Sequence, residues 1–201
     1  MIDEGYTKYS VDWTRKSLES GPAIAALDTS RQRLLRASLI GHDEKHDVGF
    51  GNLSIRDGEA FIISGTQTGH FDRTTCAHYA RVTAADIDRN RVSCTGAVQA
   101  SSESMTHAAI YAANPAVGSV VHVHDDALWR ASLQSLPATR PETPYGTPEM
   151  ARELQKLLGE SSFGTSGLAV MAGHPGGLIA IGESLDIATQ RMLDYHATGS
   201  G

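Results

Sequence analysis

The chain has 201 residues, with 17 Lys and Arg against 23 Asp and Glu, for a formal charge of −6. At about 150 residues per domain this predicts one compact domain, and the acidic balance excludes a nucleic-acid or anionic-membrane surface, which needs a basic excess. A hydrophobic share of 40% with 20% charged residues excludes a disordered chain, and two cysteines, Cys76 and Cys94, are too few for a disulfide framework or a Cys-based zinc site. No apolar signal segment opens residues 1–20 and no run approaches 18 uncharged apolar residues, so the expected address is the cytoplasm, without a membrane partner.

Residues 1–22 are polar and open an N-terminal arm, taken to run to residue 27; Asp28-Thr29-Ser30 then offers N-cap groups for a helix near 28–41. The polar run Gly41 to Asp47 reads as a loop. Leu53-Ser54-Ile55-Arg56, the turn Asp57-Gly58 and Ala60-Phe61-Ile62-Ile63 predict a β-hairpin, followed by a Gly/Thr-rich loop at 64–70. Arg81–Thr83 and Arg91–Ser93 read as short strands. Ser102 caps a helix running to Ala113, which Asn114-Pro115 ends. Ser119–His124 is a β-rich run, Asp125 caps a helix to Leu133, and 137–148 is a Pro-rich loop. Thr147 caps a helix from Pro148 to Leu158 with proline at its first position. Strands at Leu168–Met171 and Leu178–Ile181 flank Gly173-His174-Pro175-Gly176-Gly177, and Ser184 caps a last helix through Tyr195. Residues 199–201 read as a flexible tail. Strand pairs joined this tightly favour a largely antiparallel sheet covered by helices, an α/β class.

Chemistry concentrates in Val121-His122-Val123-His124. Alternation along a strand puts His122 and His124 on one side, roughly 6.5–7 Å apart along the chain, where two imidazoles can converge on one ion. The plain alternative is two histidines on a solvent face. His174, in a Gly-rich turn, is the candidate third ligand; three imidazoles without cysteine favour a catalytic site with open positions over a closed structural one. Glu103 follows Ser101-Ser102 at a helix start. It either complements the helix dipole or acts as acid/base beside an anion held by the hydroxyls and free N–H groups. Gly51-Asn52 and Ser64-Gly65-Thr66-Gln67-Thr68-Gly69 are turns able to wrap an anion, or simple hairpin connections. His107, four residues after Glu103, pairs with it on one helical face or belongs to the core. Walker, Gly-x-Gly dinucleotide and Gly-x-Ser-x-Gly patterns are absent.

In order and spacing these pieces resemble the class II aldolase/adducin family over about residues 28–195. The resemblance rests on Gly51 to Arg56, Ile63 to Gly69, Ser101-Ser102-Glu103 with His107 and Tyr111, Val121 to His124, Tyr145 to Ala151, and Gly173-His174 with Gly177 to Gly182. It implies an αβα fold over 28–198 with a central sheet of nine strands or a similar number. It also implies a Zn²⁺ held by His122, His124 and His174 (Fe²⁺, Mn²⁺ or Co²⁺ as alternatives) and Glu103 as catalytic acid/base. Asn52, Thr66, Thr68, Gly69, Ser101 and Ser102 match its phosphate-binding positions, the Thr loop admitting two registers. The assembly implied is a homotetramer with the site between subunits. A departure is Pro175-Gly176-Gly177 after the third histidine, and few Lys or Arg flank the anion loops.

The activity this implies is metal-dependent aldol or lyase cleavage of a C–C bond in a small sugar-like substrate, phosphorylated or not, through an enediolate. Tyr111, Tyr145, Tyr195 or a neighbouring subunit would supply the second acid/base. The alternatives are a sugar-phosphate 4-epimerase, a decarboxylase or dehydratase on the same site, then a non-haem iron oxygenase, then a non-catalytic adducin-like binding domain.

Overall fold

A computed structural model describes residues 7–199. In chain order the elements are β1 (Ser10–Arg15), α1 (Pro22–Arg36), β2 (Gly41–Asp43), β3 (Val48–Phe50), β4 (Asn52–Asp57), β5 (Ala60–Ser64), β6 (Tyr79–Asp86) and β7 (Arg91–Gly96). They continue with α2 (Ser104–Ala113), β8 (Ser119–His124), α3 (Asp126–Ser132), α4 (Pro148–Glu160), α5 (Phe163–Ser166), β9 (Leu168–Val170), β10 (Gly177–Gly182) and α6 (Leu185–Gly199). Among the described residues the main sheet has eight strands in the order β1-β7-β6-β5-β4-β8-β10-β9, and β2 and β3 form a separate ribbon. Every pairing in the main sheet is antiparallel except that of β1 with β7.

The sheet is buried on both faces. On one, Met105, Ala109 and Ile110 of α2 and Met150 and Leu154 of α4 pack over Ile63, Val120 and Ile179. On the other, Leu27 and Leu34 of α1 and Ala188 and Met192 of α6 pack over Leu53, Val121, Val123 and Leu178. Alternation in β8 therefore assigns Val121 and Val123 to the α1/α6 face and turns His122 and His124 to the α2 side. This αβα layering is the fold class the sequence predicts. No helix of the described residues is long and apolar enough to cross a membrane.

Four local readings change. Helix α1 starts at Pro22, not near 28, because Pro22 occupies the first helical position after extended Gly21. The expected cap Asp28 instead accepts hydrogen bonds from the Thr74 N–H and hydroxyl at 2.7 and 2.9 Å. The run 41–47 is not all loop: β2 pairs with β3, and Asp43 shapes the turn by accepting from the Lys45 N–H. The stretch read as an arm carries β1, an edge strand whose Trp13 indole donates to the Gly96 carbonyl at 3.0 Å and whose Asp12 meets Arg91 at 2.5 Å. Residues 1–6 of that arm and 200–201 of the tail lie outside the described residues. Helix α2 begins at Ser104 with Glu103 at the cap position, one residue later than Ser102 predicts, and the short α5 was not signalled.

Candidate metal and substrate site

The site forms where β8 leaves the core. Strand register places His122 between Asn52 of β4 and Ile179 of β10, and His124 opposite Gly177. The β9–β10 turn supplies His174. Its N–H bonds the Met171 carbonyl at 2.9 Å and its carbonyl accepts from Gly177 at 2.8 Å. Gly177 lets the turn close on the strand: a β-carbon there would stand 2.6 Å from His174 Cδ2 and 3.2 Å from His122 Cε1.

One ligand nitrogen from each of His122, His124 and His174 falls within 4.8 Å of the others. His122 Nε2 and His124 Nε2 are 3.0 Å apart, and His122 Nδ1 contacts the Leu178 carbonyl at 3.1 Å. That carbonyl demands the proton on Nδ1, which turns the Nε2 lone pair toward the cluster. Burial pushes His122 down to about 4 and also lowers His124 and His174. Near pH 7 all three rings are therefore neutral, which is the ligating form. Two zinc–nitrogen bonds of about 2.0–2.1 Å at a tetrahedral angle separate their nitrogens by roughly 3.3 Å, close to the 3.0 Å pair. The donor set, tautomer and spacing fit a divalent cation.

Glu103 is 2% exposed, and neither carboxylate oxygen has a hydrogen-bond partner among the described residues. A buried unpartnered carboxylate is costly unless it neutralises or meets a ligand. Burial pushes Glu103 up to about 7, with the Thr106 hydroxyl and the Lys8 ammonium acting the other way. Its side chain makes no capping bond.

The six residues matched to anion binding come together. Asn52, Thr66, Thr68, Gly69, Ser101 and Ser102 line one cleft, together with Glu103 and His122. Two backbone bonds tie its loops, Ser101 N–H to the Ser64 carbonyl at 3.1 Å and Thr66 N–H to the Gln99 carbonyl at 2.9 Å. The cleft is narrow, with a volume of about 30 Å³. Thr68 spends its proton on the Gly65 carbonyl at 2.8 Å. Gly69 approaches the β2 backbone so closely that a β-carbon would lie 2.0 Å from the Gly41 carbonyl oxygen. A larger cavity of about 810 Å³ opens on the other side, over His124 and His174, with Phe50, Tyr145 and Lys8 in its wall.

Of the three tyrosines considered, Tyr145 alone lines this cavity, its ring stacked on His174 with centroids 4.4 Å apart. Tyr111 is buried in the core with its hydroxyl 2.7 Å from Ser54 Oγ, and the Tyr195 hydroxyl meets Ser132 Oγ at 2.9 Å. His107 is a core histidine whose Nδ1 lies 2.7 Å from Ser54 Oγ. Two residues escaped the sequence reading. Arg31 is 3% exposed and donates to the carbonyls of Thr68, Gly69 and Phe71, holding the anion loop from behind. Its position between Leu27 and Leu34 on the apolar stripe of α1 was a legible sign. Lys8 carried no such signal.

The model of the Class II Aldolase and Adducin N-terminal domain matches residues 32–198. Among solved structures, an L-fuculose-1-phosphate aldolase from Thermus thermophilus is 21% identical with a TM-score of 0.66, covering 89% of this chain and 91% of that one. YgbL from Escherichia coli, a candidate aldolase/epimerase/decarboxylase, is 19% identical with a TM-score of 0.65, covering 88% and 86%. A sugar-phosphate aldolase from Thermotoga maritima is 16% identical with a TM-score of 0.64, covering 89% and 92%. At these identities the likeness is one of fold. No curated protein matches the sequence. The family model spans strands β2 to β10, the histidine cluster and Glu103 together, and the chain belongs to the class II aldolase and adducin family.

Proposed function

We propose that residues 28–198 form one catalytic unit, a divalent-metal-dependent aldolase or carbon–carbon lyase acting on a small sugar-like substrate. His122, His124 and His174 hold the metal, zinc in the first instance, and Glu103 is the acid/base. The observation that supports this most is the buried carboxylate of Glu103, without a hydrogen bond in standard geometry among the described residues and in the same cleft as His122. A non-catalytic binding domain has no use for that cost.

When bound, the cation supplies Lewis-acid polarisation of substrate oxygens. The rest falls to the chain. Burial raises the Glu103 carboxyl and so strengthens it as a base, which suits it to take a proton at the reacting carbon and return it. Asn52, the 66–69 loop and Ser101-Ser102 orient the far end of the substrate through N–H and hydroxyl donors. Tyr145 is the intrachain candidate for a second proton-transfer group. As in the resemblance, the expected assembly is a cytoplasmic homotetramer in which a neighbouring chain completes the large cavity.

The test is metal analysis of anaerobically purified protein, followed by aldehyde release from a panel of phosphorylated and unphosphorylated ketoses and sugar acids. The reading expects one zinc per chain and turnover that Glu103→Gln abolishes with zinc retained. Stoichiometric iron with oxygen consumption would favour an oxygenase. Metal-free, inactive protein would favour a binding domain.

A further inference from the structure

Helix α2 and strand β4 run in step beneath the candidate site. On β4, Asn52, Ser54 and Arg56 alternate toward α2, while Leu53 and Ile55 pack on the α1/α6 side. Glu103, His107 and Tyr111 succeed one another at four-residue steps, and the His107 N–H closes the first step on the Glu103 carbonyl at 3.1 Å. Four residues of helix rise about 6 Å and two of strand about 6.8 Å, so the two rows stay aligned. The Arg56 guanidinium stands 4.7 Å from the centre of the Tyr111 ring, the Ser54 hydroxyl meets both Tyr111 and His107, and Asn52 lines the same cleft as Glu103.

Ser54 decides where the proton of His107 sits. Its Oγ lies 2.7 Å from the Tyr111 hydroxyl and 2.7 Å from His107 Nδ1, and all three groups are buried. Burial holds the His107 ring neutral, well below its usual range, so the ring carries one proton. If Tyr111 donates to Ser54 and Ser54 donates to Nδ1, the ring proton is on Nε2 and one group is left over. The reverse order strands two, the Tyr111 proton and the Nε2 lone pair. The first order is therefore the favoured one, and it gives His107 a buried Nε2–H without a hydrogen bond in standard geometry among the described residues.

A buried N–H of this kind calls for an acceptor. A helical side chain leans over the turn before its own, which for His107 is the turn that begins at Glu103. Both carboxylate oxygens of Glu103 lack a hydrogen bond in standard geometry, and residues four apart on a helix face each other with β-carbons about 5–6 Å apart. Asn52 Oδ1 is the other unbonded acceptor of this row, but a hydrogen bond to an ionised carboxylate is roughly twice as strong as one to a neutral amide. The remaining groups that bear on the Glu103 carboxyl are the Thr106 hydroxyl, the Lys8 ammonium and the Tyr9 hydroxyl, with His122 in the cleft wall.

We propose that His107 is a positioning residue for Glu103: Tyr111 and Ser54 hold its ring so that Nε2–H receives the carboxylate whenever Glu103 is ionised and releases it when Glu103 takes a proton. The base form then has one fixed direction, set from inside the core, from which to meet the reacting carbon. This deepens the function proposed above and rests on it for the role of Glu103 as acid/base.

The test reads the Glu103 carboxyl by carbon-13 NMR in the full chain, zinc-loaded and metal-free, with Glu103→Gln assigning the signal. His107→Met deletes the donor and is expected to raise the titration midpoint by about one pH unit or more, a tenfold weaker acid. His107→Gln keeps a side-chain N–H and is expected to recover at least half of that shift. A packing role alone predicts the opposite sign, because a loosened core admits water and relieves the burial that raises the carboxyl. An unchanged or lowered midpoint in folded His107→Met would overturn the inference. A second measurement needs no substitution at this position. Nitrogen-15 NMR of the histidine rings is expected to show wild-type His107 protonated at Nε2, with a proton resonance that follows the Glu103 titration. A proton on Nδ1, or an Nε2 proton indifferent to that titration, would overturn it equally. Failure of the wild type to take up zinc or to turn over substrate ends the catalytic reading by itself, and the same measurements on metal-free protein still decide His107.

Discussion

The ring of Tyr145 lies over that of His174, with centroids 4.4 Å apart and planes inclined by 28°. This stack buttresses one face of the His174 ring, so, if His174 is a ligand as proposed, it bears on metal affinity without touching the metal. Tyr145→Phe keeps the stack and is expected to retain zinc affinity. Tyr145→Ala is expected to weaken it roughly tenfold, as loss of an orienting neighbour does. Competitive titration against a zinc-binding dye measures both, and a greater loss in the Phe variant would contradict the stacking role.

Gly177 makes a steric prediction about the same cluster. Its missing β-carbon leaves room for His174 Cδ2 at 2.6 Å. Gly177→Ala therefore forces the His174 ring or the β10 backbone to shift. Zinc affinity is expected to fall by about tenfold or more, since ligand geometry decides it. Unchanged affinity would mean the ring has freedom that the packing does not show.

Glu103 makes a prediction about pH. Its carboxyl is raised from 4.5 to about 7, so between those values the folded chain binds a proton that the unfolded chain has released. Stability from this group is therefore greatest below the unfolded value and falls as pH rises toward 7. At one pKa unit per about 1.4 kcal/mol, the cost at neutral pH is roughly 3 kcal/mol. Burial of neutral His122, lowered to about 4, acts in the opposite sense, adding stability as pH rises from 4 to 6.5. Glu103→Gln removes the first effect alone. Denaturant unfolding of metal-free protein is expected to show the variant gaining on wild type from pH 4.5 to 7; a constant difference would refute the raised carboxyl.

Arg31 braces the loop at residues 68–71. Its guanidinium serves three loop carbonyls from a buried position. Arg31→Met strands those acceptors, an expected loss of about 2–4 kcal/mol in chemical denaturation. Arg31→Lys should recover only part of it, because an ammonium cannot reproduce the planar fork. Stability within experimental error of wild type for Arg31→Met would contradict the clamp.

Legibility in the sequence follows the physics of each element. The β4–β5 hairpin, β8, β10 and α4 announce themselves because alternation, an Asp-Gly turn and a Thr-Pro helix start are local signals. The histidine cluster was legible because His-x-His in a strand fixes two side chains on one face. β1 was missed because an edge strand exposes most of its residues and reads as polar, although Val11 and Trp13 alternate inward. The start of α1 was misplaced because Asp28 looks like a cap yet spends its carboxylate on Thr74, a contact 46 residues away. The raised carboxyl of Glu103 was not legible for the same reason: burial is a tertiary property. Lys8 reaches the cavity through a sheet-edge pairing that no local pattern encodes.

The central claim is that three imidazoles share one divalent ion and leave it an open position. X-ray absorption spectroscopy of protein loaded with one equivalent of zinc tests it most directly. The account predicts three nitrogen scatterers at about 2.0–2.1 Å with imidazole outer-shell features and one light-atom ligand, reduced to two nitrogens in His174→Ala. Zinc bound without histidine, or a spectrum that His174→Ala leaves unchanged, would contradict it.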